Sequence, residues 1–137
     1  MATRSLIGKL NSDGTVTCIY CHWDGYPSNN GVLLQEYWNT PYKVDQLLAL
    51  GDLSSLGKEI GEKHDFNSSR NRDWCTAYGR DRGELGVGAG VVSSREDFLD
   101  DSHPDYFYLY NEDFEWECYH SGMEEPYQVE IPSEYVI

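Results

Sequence analysis

Alternating apolar and polar positions near the start of the chain predict a β-hairpin. A short strand at residues 4–10 would pair with a longer strand at 15–23 through the turn Asn11-Ser12-Asp13-Gly14. Asn, Asp and Gly supply the positive-φ conformations that such turns need. In the second strand, both the even- and the odd-numbered positions include large apolar side chains. We therefore expect both faces of this strand to be at least half buried.

The same alternation near the end of the chain predicts a second hairpin. Its strands would lie at residues 106–110 and 114–120, joined by Asn111-Glu112-Asp113. In the returning strand, three core-facing residues alternate with three residues of a largely anionic face. The core-facing set is Phe114, Trp116 and Cys118, and the other set is Glu115, Glu117 and Tyr119.

Helical spacing and capping residues predict three helices between the hairpins. A short one is expected over residues 31–38, capped by an Asn of the preceding loop at 27–31. A second has Thr40 as its N-cap, Pro41 at its first position and Gly51 at its end. A third is expected to begin at residue 93 or 94, where Ser precedes an acidic first turn.

The remaining segments predict little regular structure. Residues 52–57 indicate a single capped turn, 58–71 a polar connection, 74–78 a strand and 79–84 a loop. Residues 122–137 are expected to form an irregular tail that docks through Tyr127, Val129 and Ile131. No internal repeat is visible.

These elements predict one α+β domain at residues 1–121, followed by the tail. Its antiparallel sheet would be built from the N- and C-terminal hairpins, with two to three short helices packed on it. A chain of 137 residues is long enough for a self-supporting core. The aromatic content of 14% argues against disorder.

The net charge of −14 is concentrated in the last third of the chain. Residues 1–95 hold eleven acids and ten bases, whereas residues 96–137 hold thirteen acids and no Lys or Arg. Such a segment must be solvated or must meet a cationic partner, and it would repel a phosphate backbone. We therefore expect no direct nucleic-acid binding through this face. Its candidate partner-binding residues are Glu112, Asp113, Glu115, Glu117, Glu124 and Glu125.

Strand spacing gives part of this acidic segment the dimensions of a nucleic-acid backbone. Carboxylates at i and i+2, such as those of Glu115 and Glu117, would lie ~6.6 Å apart on one strand face. That distance is about twice the ~3.4 Å per-strand charge spacing of a duplex. The pattern favours mimicry of a phosphate backbone, or capture of a basic protein surface.

The cysteines favour structural thiols. Cys18-Ile-Tyr-Cys21-His22 matches the spacing of a haem attachment site, but strand alternation places Cys18 and Cys21 on opposite faces. A zinc site made of Cys18, Cys21, Cys118 and His120 is an alternative with poor motif spacing. The chain shows no export signal and no membrane span, so we expect a cytoplasmic protein with reduced thiols, no cofactor and no membrane association.

Two short runs suggest a small-ligand site as an alternative function. At the end of the predicted strand, two aromatic rings lie close to an acid in the sequence, as Trp23, Asp24 and Tyr26. Such rings stack on nucleotide bases. Arg80 and Arg82 lie in a glycine-bounded loop where two guanidinium groups would suit a phosphate. No local motif marks a nucleophile or a catalytic acid–base pair, so we predict that the protein is not an enzyme.

Four segments resemble an uncharacterised family of small proteins carried by bacteriophages and mobile elements. They are Tyr20-Cys-His-Trp-Asp-Gly-Tyr-Pro27, Ser28-Asn-Asn-Gly31, Leu50-Gly-Asp-Leu-Ser-Ser-Leu-Gly57 and Gly79-Arg-Asp-Arg-Gly-Glu84. The resemblance covers roughly residues 3–85 and implies a phage accessory protein without a known activity.

By analogy with other small acidic phage proteins, the first hypothesis is a counter-defence or host-takeover inhibitor of the anti-CRISPR or antirestriction kind. It would engage a basic, nucleic-acid-binding surface of a host protein. The alternatives are a sponge for a nucleotide signal, a small structural-zinc domain and an unrecognised enzyme. The sequence leaves the oligomeric state open.

Overall fold

The computed structural model describes residues 2–67 and 73–132, and this part of the chain contains eight strands and four helices. The strands are β1 (Ser5–Leu10), β2 (Val16–Cys21), β3 (Leu53–Ser55), β4 (Thr76–Ala77), β5 (Gly90–Val92), β6 (Tyr106–Tyr110), β7 (Trp116–His120) and β8 (Tyr127–Val129). The helices are α1 (Val32–Tyr37), α2 (Pro41–Ala49), α3 (Tyr78–Arg82) and α4 (Arg95–Leu99).

All eight strands belong to one mostly antiparallel sheet, which confirms the predicted α+β class. The strand order is β4-β3-β2-β1-β6-β7-β8, and β5 pairs with the first half of β2. Both predicted hairpins are present, as β1–β2 and β6–β7. The core-facing position predicted for Phe114 is wrong, because β7 begins at Trp116 and Phe114 belongs to the turn, where it is exposed. The first strands of the two hairpins, β1 and β6, lie side by side and run parallel, with Ser5 opposite Tyr106. The sheet therefore joins the two ends of the chain at its centre.

Helices α1 and α2 cover one face of the sheet and form the main core with it. Helix α2 begins and ends as predicted, because the Thr40 hydroxyl accepts a hydrogen bond from the Lys43 N–H at 3.3 Å and Gly51 follows with φ +77°. The buried members include Ile7, Ile19 and Tyr108 from the sheet and Leu34, Val44 and Leu47 from the helices.

A smaller core lies on the opposite face, under α4. Phe98 of α4 packs against Val16, Phe107 and Leu109. Gly8 makes this possible, because a Cβ at that position would stand 2.9 Å from the Phe98 ring. The predicted cap of this helix is confirmed, since the Ser94 hydroxyl accepts from the Asp97 N–H at 3.1 Å.

The predicted loop before α1 is wrong, because Pro27–Gly31 forms a π-helical turn that leads directly into the helix. The predicted Asn cap is also wrong. Asn30 is buried, and its amide donates to the Ser5 hydroxyl at 3.3 Å and to the Cys21 thiol at 3.5 Å. This side chain therefore ties the turn to the sheet instead of capping α1.

Three predicted segments between residues 52 and 84 differ from the structure. The expected turn at 52–57 contains strand β3, because Leu53 is buried beside β2. The expected loop at 79–84 begins with α3, and the predicted strand at 74–78 shortens to β4. The polar connection predicted at 58–71 is irregular up to residue 67, and its last residues lie outside the described part of the chain.

The predicted irregular tail contains a strand. β8 pairs with β7, so the sheet continues past residue 121. Val129 and Ile131 pack against the main core as expected, whereas Tyr127 remains exposed. Residues 133–137 of the predicted tail lie outside the described residues.

Candidate functional site

An acidic groove lies between the end of α4 and the turn that joins β7 to β8. It consists of two adjoining depressions, of about 520 and about 360 Å³, which share Leu99, Asp100 and Pro126. Together they are lined by acidic residues of both segments: Glu96, Asp97, Asp100, Asp101, Glu124 and Glu125. In the described part of the chain, no Lys or Arg lines either depression.

The local sequence explains why these carboxylates point outward. Phe98 anchors α4 on the sheet, so the polar positions of this short helix are left on its solvent side. On the other wall, the Gly122 N–H donates to His120 Nδ1 at 3.0 Å, and Gly122 adopts φ +67°. This bend directs residues 123–126 toward α4.

Among the described residues, one arginine and no lysine forms ion pairs with the acids of residues 96–132. Arg95 contacts Glu117 at 3.3 Å and Glu112 at 3.8 Å. Asp101 pairs locally with His103 at 3.0 Å, and the Asp105 carboxylate accepts from the Arg4 N–H. In the described structure no Lys or Arg forms an ion pair with the rest of the set, which is Glu96, Asp97, Asp100, Asp113, Glu115, Glu124, Glu125 and Glu130.

The predicted contact residues divide into three places. Glu112, Asp113 and Glu115 occupy the tip of the β6–β7 hairpin. Glu124 and Glu125 line the acidic groove. Arg95, which contacts Glu112, is the first residue of α4, so the tip lies beside the helix that lines the groove. The tip and the groove together make up the acidic face.

Glu117 occupies the third place and has a structural role. Its carboxylate is mostly buried and accepts from the Asn111 amide at 2.8 Å and from the Tyr119 hydroxyl at 2.7 Å. Burial and this carboxylate raise the pKa of Tyr119 to about 12. The structure therefore does not present Glu115 and Glu117 as a ladder of two solvated charges.

Sequence reasoning missed four acids of the groove: Glu96, Asp97, Asp100 and Asp101. The signal was present in the predicted helix at residue 93 or 94. With Phe98 and Leu99 as its apolar positions, the acids beside them had to lie on the exposed side.

Arg80 has an internal structural role. Its guanidinium donates four hydrogen bonds, two to Asp81, one to the Ile60 carbonyl and one to the Cys75 carbonyl. Burial alone would raise the pKa of Asp81, but hydrogen bonds from Arg80, the Ala77 N–H and the His64 N–H lower it. This network fixes α3 against the preceding segment and leaves Arg80 little capacity for a ligand.

Arg82 is held by neighbouring side chains. Its guanidinium carbon lies 4.6 Å from the Phe66 ring centroid and 4.7 Å from that of Tyr78. A nitrogen of the same group lies 2.6 Å from Glu84 Oε2. The chain thus holds one of its own arginines between aromatic rings and a carboxylate.

Trp23, Asp24 and Tyr26 lie at the end of β2. Trp23 is 44% exposed, and its ring meets the edge of His22 at 4.7 Å. The Tyr26 hydroxyl lies 3.5 Å from the Asp24 carboxylate. In the described part of the chain, no hydrogen bond, ion pair or ring contact joins this run to Arg80 or Arg82. The structure therefore does not assemble these five residues into one pocket.

The four cysteines are divided between the two faces of the sheet. Cys18 lies on the α4 side of β2, whereas Cys21 and Cys118 lie in the main core. Burial raises the pKa of Cys21 to about 12, that of Cys75 to about 11 and that of Cys118 to about 12. Among the described residues, no three His, Cys, Asp or Glu side chains are grouped closely enough to hold a metal ion.

The fold and the site define a small α+β protein with a one-sided acidic face. Comparison of the chain with protein-family models, with curated proteins and with solved structures finds no match. No helix in the described ranges is both long and apolar enough to cross a membrane.

Proposed function

We propose that this chain is a non-catalytic binding protein whose acidic face docks onto a basic, nucleic-acid-binding surface of another protein. One observation supports the proposal above others: two chain segments line a single groove with six carboxylates and, among described residues, no base. A cationic partner would relieve the repulsion between these charges. A nucleic acid would increase it.

A protein surface suits this groove better than a single metal ion. Metal binding needs several ligands converging within about 2–2.6 Å of one point. The described carboxylates form no such group. The groove also exposes Met123 fully and includes Leu99 and Pro126, which offer apolar contacts beside the charges. Protein interfaces combine an apolar centre with a polar rim.

The state of the thiols supports a non-catalytic role. A nucleophilic cysteine acts as its thiolate and normally has a lowered pKa. Burial raises the pKa of Cys18, Cys21, Cys75 and Cys118 in this fold. These thiols are therefore protonated and weakly reactive near neutral pH.

The biological setting that we propose is a bacteriophage or mobile element acting in the cytoplasm of its host. There, occupation of a nucleic-acid-binding surface would inhibit a host defence or processing protein. The likeness to anti-CRISPR and antirestriction proteins is an analogy of charge and size.

The test is affinity capture from bacterial lysate with a neutralised variant, Asp100→Asn/Asp101→Asn/Glu124→Gln/Glu125→Gln. The matched control is Glu36→Gln/Glu59→Gln/Glu62→Gln/Asp73→Asn, which removes the same charge from exposed positions outside the acidic face. We expect the wild type and the control to retain a nucleic-acid-binding protein at low salt and to release it at high salt. The neutralised variant should not retain it.

The captured protein must then be tested directly. Added wild-type chain should displace nucleic acid from it, because both ligands would occupy one surface. If the captured protein keeps its nucleic acid, or if the neutralised variant binds as well as the control, the proposal is wrong.

A further inference from the structure

The tip of the β6–β7 hairpin exposes an aromatic ring. Phe114 is 61% exposed. Its backbone adopts the left-handed conformation, with φ +60°. Its ring stacks on Tyr110 with a centroid distance of 6.3 Å and an interplanar angle of 26°. The stack holds the ring in place while most of the residue remains accessible to solvent.

This ring forms part of a groove between the two hairpin turns. The groove has a volume of about 420 Å³, and Leu10, Tyr110, Glu112 and Phe114 are among its lining residues. Lys9 also lines it, but its ammonium group is paired with Asp45 at 2.8 Å. The groove therefore combines an accessible ring, apolar walls and a carboxylate.

The Glu112 carboxylate is available to a second cation. Its contact with Arg95 measures 3.8 Å, and most of its side chain is exposed. The contact of Arg95 with the more buried Glu117 is shorter, at 3.3 Å. Exposed ion pairs of this length contribute little. A better-placed guanidinium would therefore displace only a weak contact.

Elsewhere in the same protein, an arginine already binds between aromatic rings and a carboxylate. Arg82 lies over the rings of Phe66 and Tyr78 while Glu84 pairs with its guanidinium. A planar guanidinium stacks on a ring and donates to a carboxylate in the same plane, whereas an ammonium group has no face to stack. At the hairpin tip, the ring and the carboxylate are present and face solvent.

We propose that the hairpin tip receives an arginine side chain of the basic partner, which stacks on Phe114 and donates to Glu112. This inference rests on the proposed function, because it names the residue through which the acidic face recognises its partner. Phe114 would then make the face select arginine over lysine.

The probes for the test are two synthetic peptides of equal length and equal charge, one with Arg and one with Lys as its only cation. Calorimetry at low salt would measure both affinities for the wild type, for Phe114→Gly and for the exposed-aromatic control Tyr42→Ala. Arg binds carboxylates better than Lys at any site, so the informative quantity is the change in the Arg-to-Lys affinity ratio. An exposed cation–π contact predicts that Phe114→Gly lowers the ratio about 2–5-fold.

The Lys-peptide affinity should fall less than the Arg-peptide affinity in Phe114→Gly, and Phe114→Trp should keep or raise the wild-type ratio. Glycine accepts the positive φ of this position, and thermal unfolding checks that the variant is folded. An unchanged ratio in Phe114→Gly overturns this inference and leaves the proposed function intact. If the wild type binds neither peptide at low salt, both are overturned.

Discussion

The two hairpin turns of this protein have the same backbone and different chemistry. In the first, the Asn11 N–H donates to the Thr15 carbonyl at 2.8 Å; in the second, the Asn111 N–H donates to the Glu115 carbonyl at 2.9 Å. The N–H of the fourth turn residue donates back to Asn11 at 3.0 Å and to Asn111 at 3.1 Å. Asn, Asp and Cys recur at matching positions of the two hairpins, a correspondence that inspection of the sequence missed.

The turns differ at the left-handed position. The first has Gly14 at φ +88°, and the second has Phe114 at φ +60°. For a residue with a side chain this conformation costs roughly 1–2 kcal/mol. The first turn thus has the residue that folding favours. The second keeps an exposed ring at the expense of stability, and the arginine contact proposed above would give that ring a use.

The largest expected effect is the loss of stability on replacing Asn111, which should exceed the loss on replacing Asn11. The Asn111 side chain accepts from the N–H groups of Asp113 and Glu115 and donates to the buried carboxylate of Glu117. Asn111→Ala should therefore lower the free energy of unfolding by about 2–3 kcal/mol, at about 1 kcal/mol per lost hydrogen bond. Chemical denaturation would measure it, and a loss below that of Asn11→Ala would contradict the assignment.

Asn11→Ala is the matched control for that change. The Asn11 amide donates to the hydroxyls of Thr15 and Thr17, which are neutral acceptors. We expect a smaller loss of about 1–2 kcal/mol, because two bonds to neutral acceptors are removed instead of three bonds that include one to a carboxylate.

The next effect tests the left-handed position of the first turn. Gly14→Ala should lower the free energy of unfolding by about 1–2 kcal/mol through the backbone alone. A Cβ at Gly14 would meet no atom within 4 Å, so no clash adds to this penalty. Denaturant midpoints would measure the change, and unaltered stability would mean that the strain assigned to Phe114 is absent too.

A smaller effect is expected for Phe114→Gly. Relief of roughly 1–2 kcal/mol at the left-handed position is offset by the lost ring stack and by the greater backbone entropy of glycine. The free energy of unfolding should stay within about 1 kcal/mol of the wild type. A loss well above that value in thermal or denaturant unfolding would show that the ring is needed for folding. Phe114, like Gly14, would then be the residue that folding favours in its turn.

The smallest effect concerns pH and the first turn. Hydrogen bonds from the Thr15 hydroxyl and the Thr15 N–H lower the pKa of Asp13 below its ordinary value of 3.8. Because the folded pKa is the lower one, this contribution to stability is present above 3.8 and is lost as the pH falls through the folded value. NMR titration should show a midpoint below 3.8 that moves upward in Thr15→Val; an unmoved midpoint would refute the cause.

Local patterns predicted the parts of the fold that local forces determine. Alternation located both hairpins, and the Thr40 and Ser94 caps located α2 and α4. The three-residue strand β3 was missed because burial of Leu53 beside β2, rather than any periodic pattern, defines it. The parallel pairing of β1 with β6 was missed because contacts far apart in sequence determine it.

The candidate site was predictable in charge but not in shape. The count of acids located the anionic segment, yet Asp100 and Glu124 line one groove only because α4 and the β7–β8 turn meet in space. Arg80 illustrates the opposite error. A glycine-bounded arginine suggests anion binding, but its hydrogen bonds go to Asp81 and to two carbonyls that only the folded chain brings near.

The parallel pairing of β1 with β6 affects the order in which this protein can fold. During synthesis, β1 emerges early, but its neighbour at the centre of the sheet emerges about a hundred residues later. Until then Ile7 lacks Tyr108, and the main core remains open. Contacts this distant in sequence fold slowly. The acidic third is therefore the segment that completes the protein, so truncation at residue 95 should yield an unfolded chain.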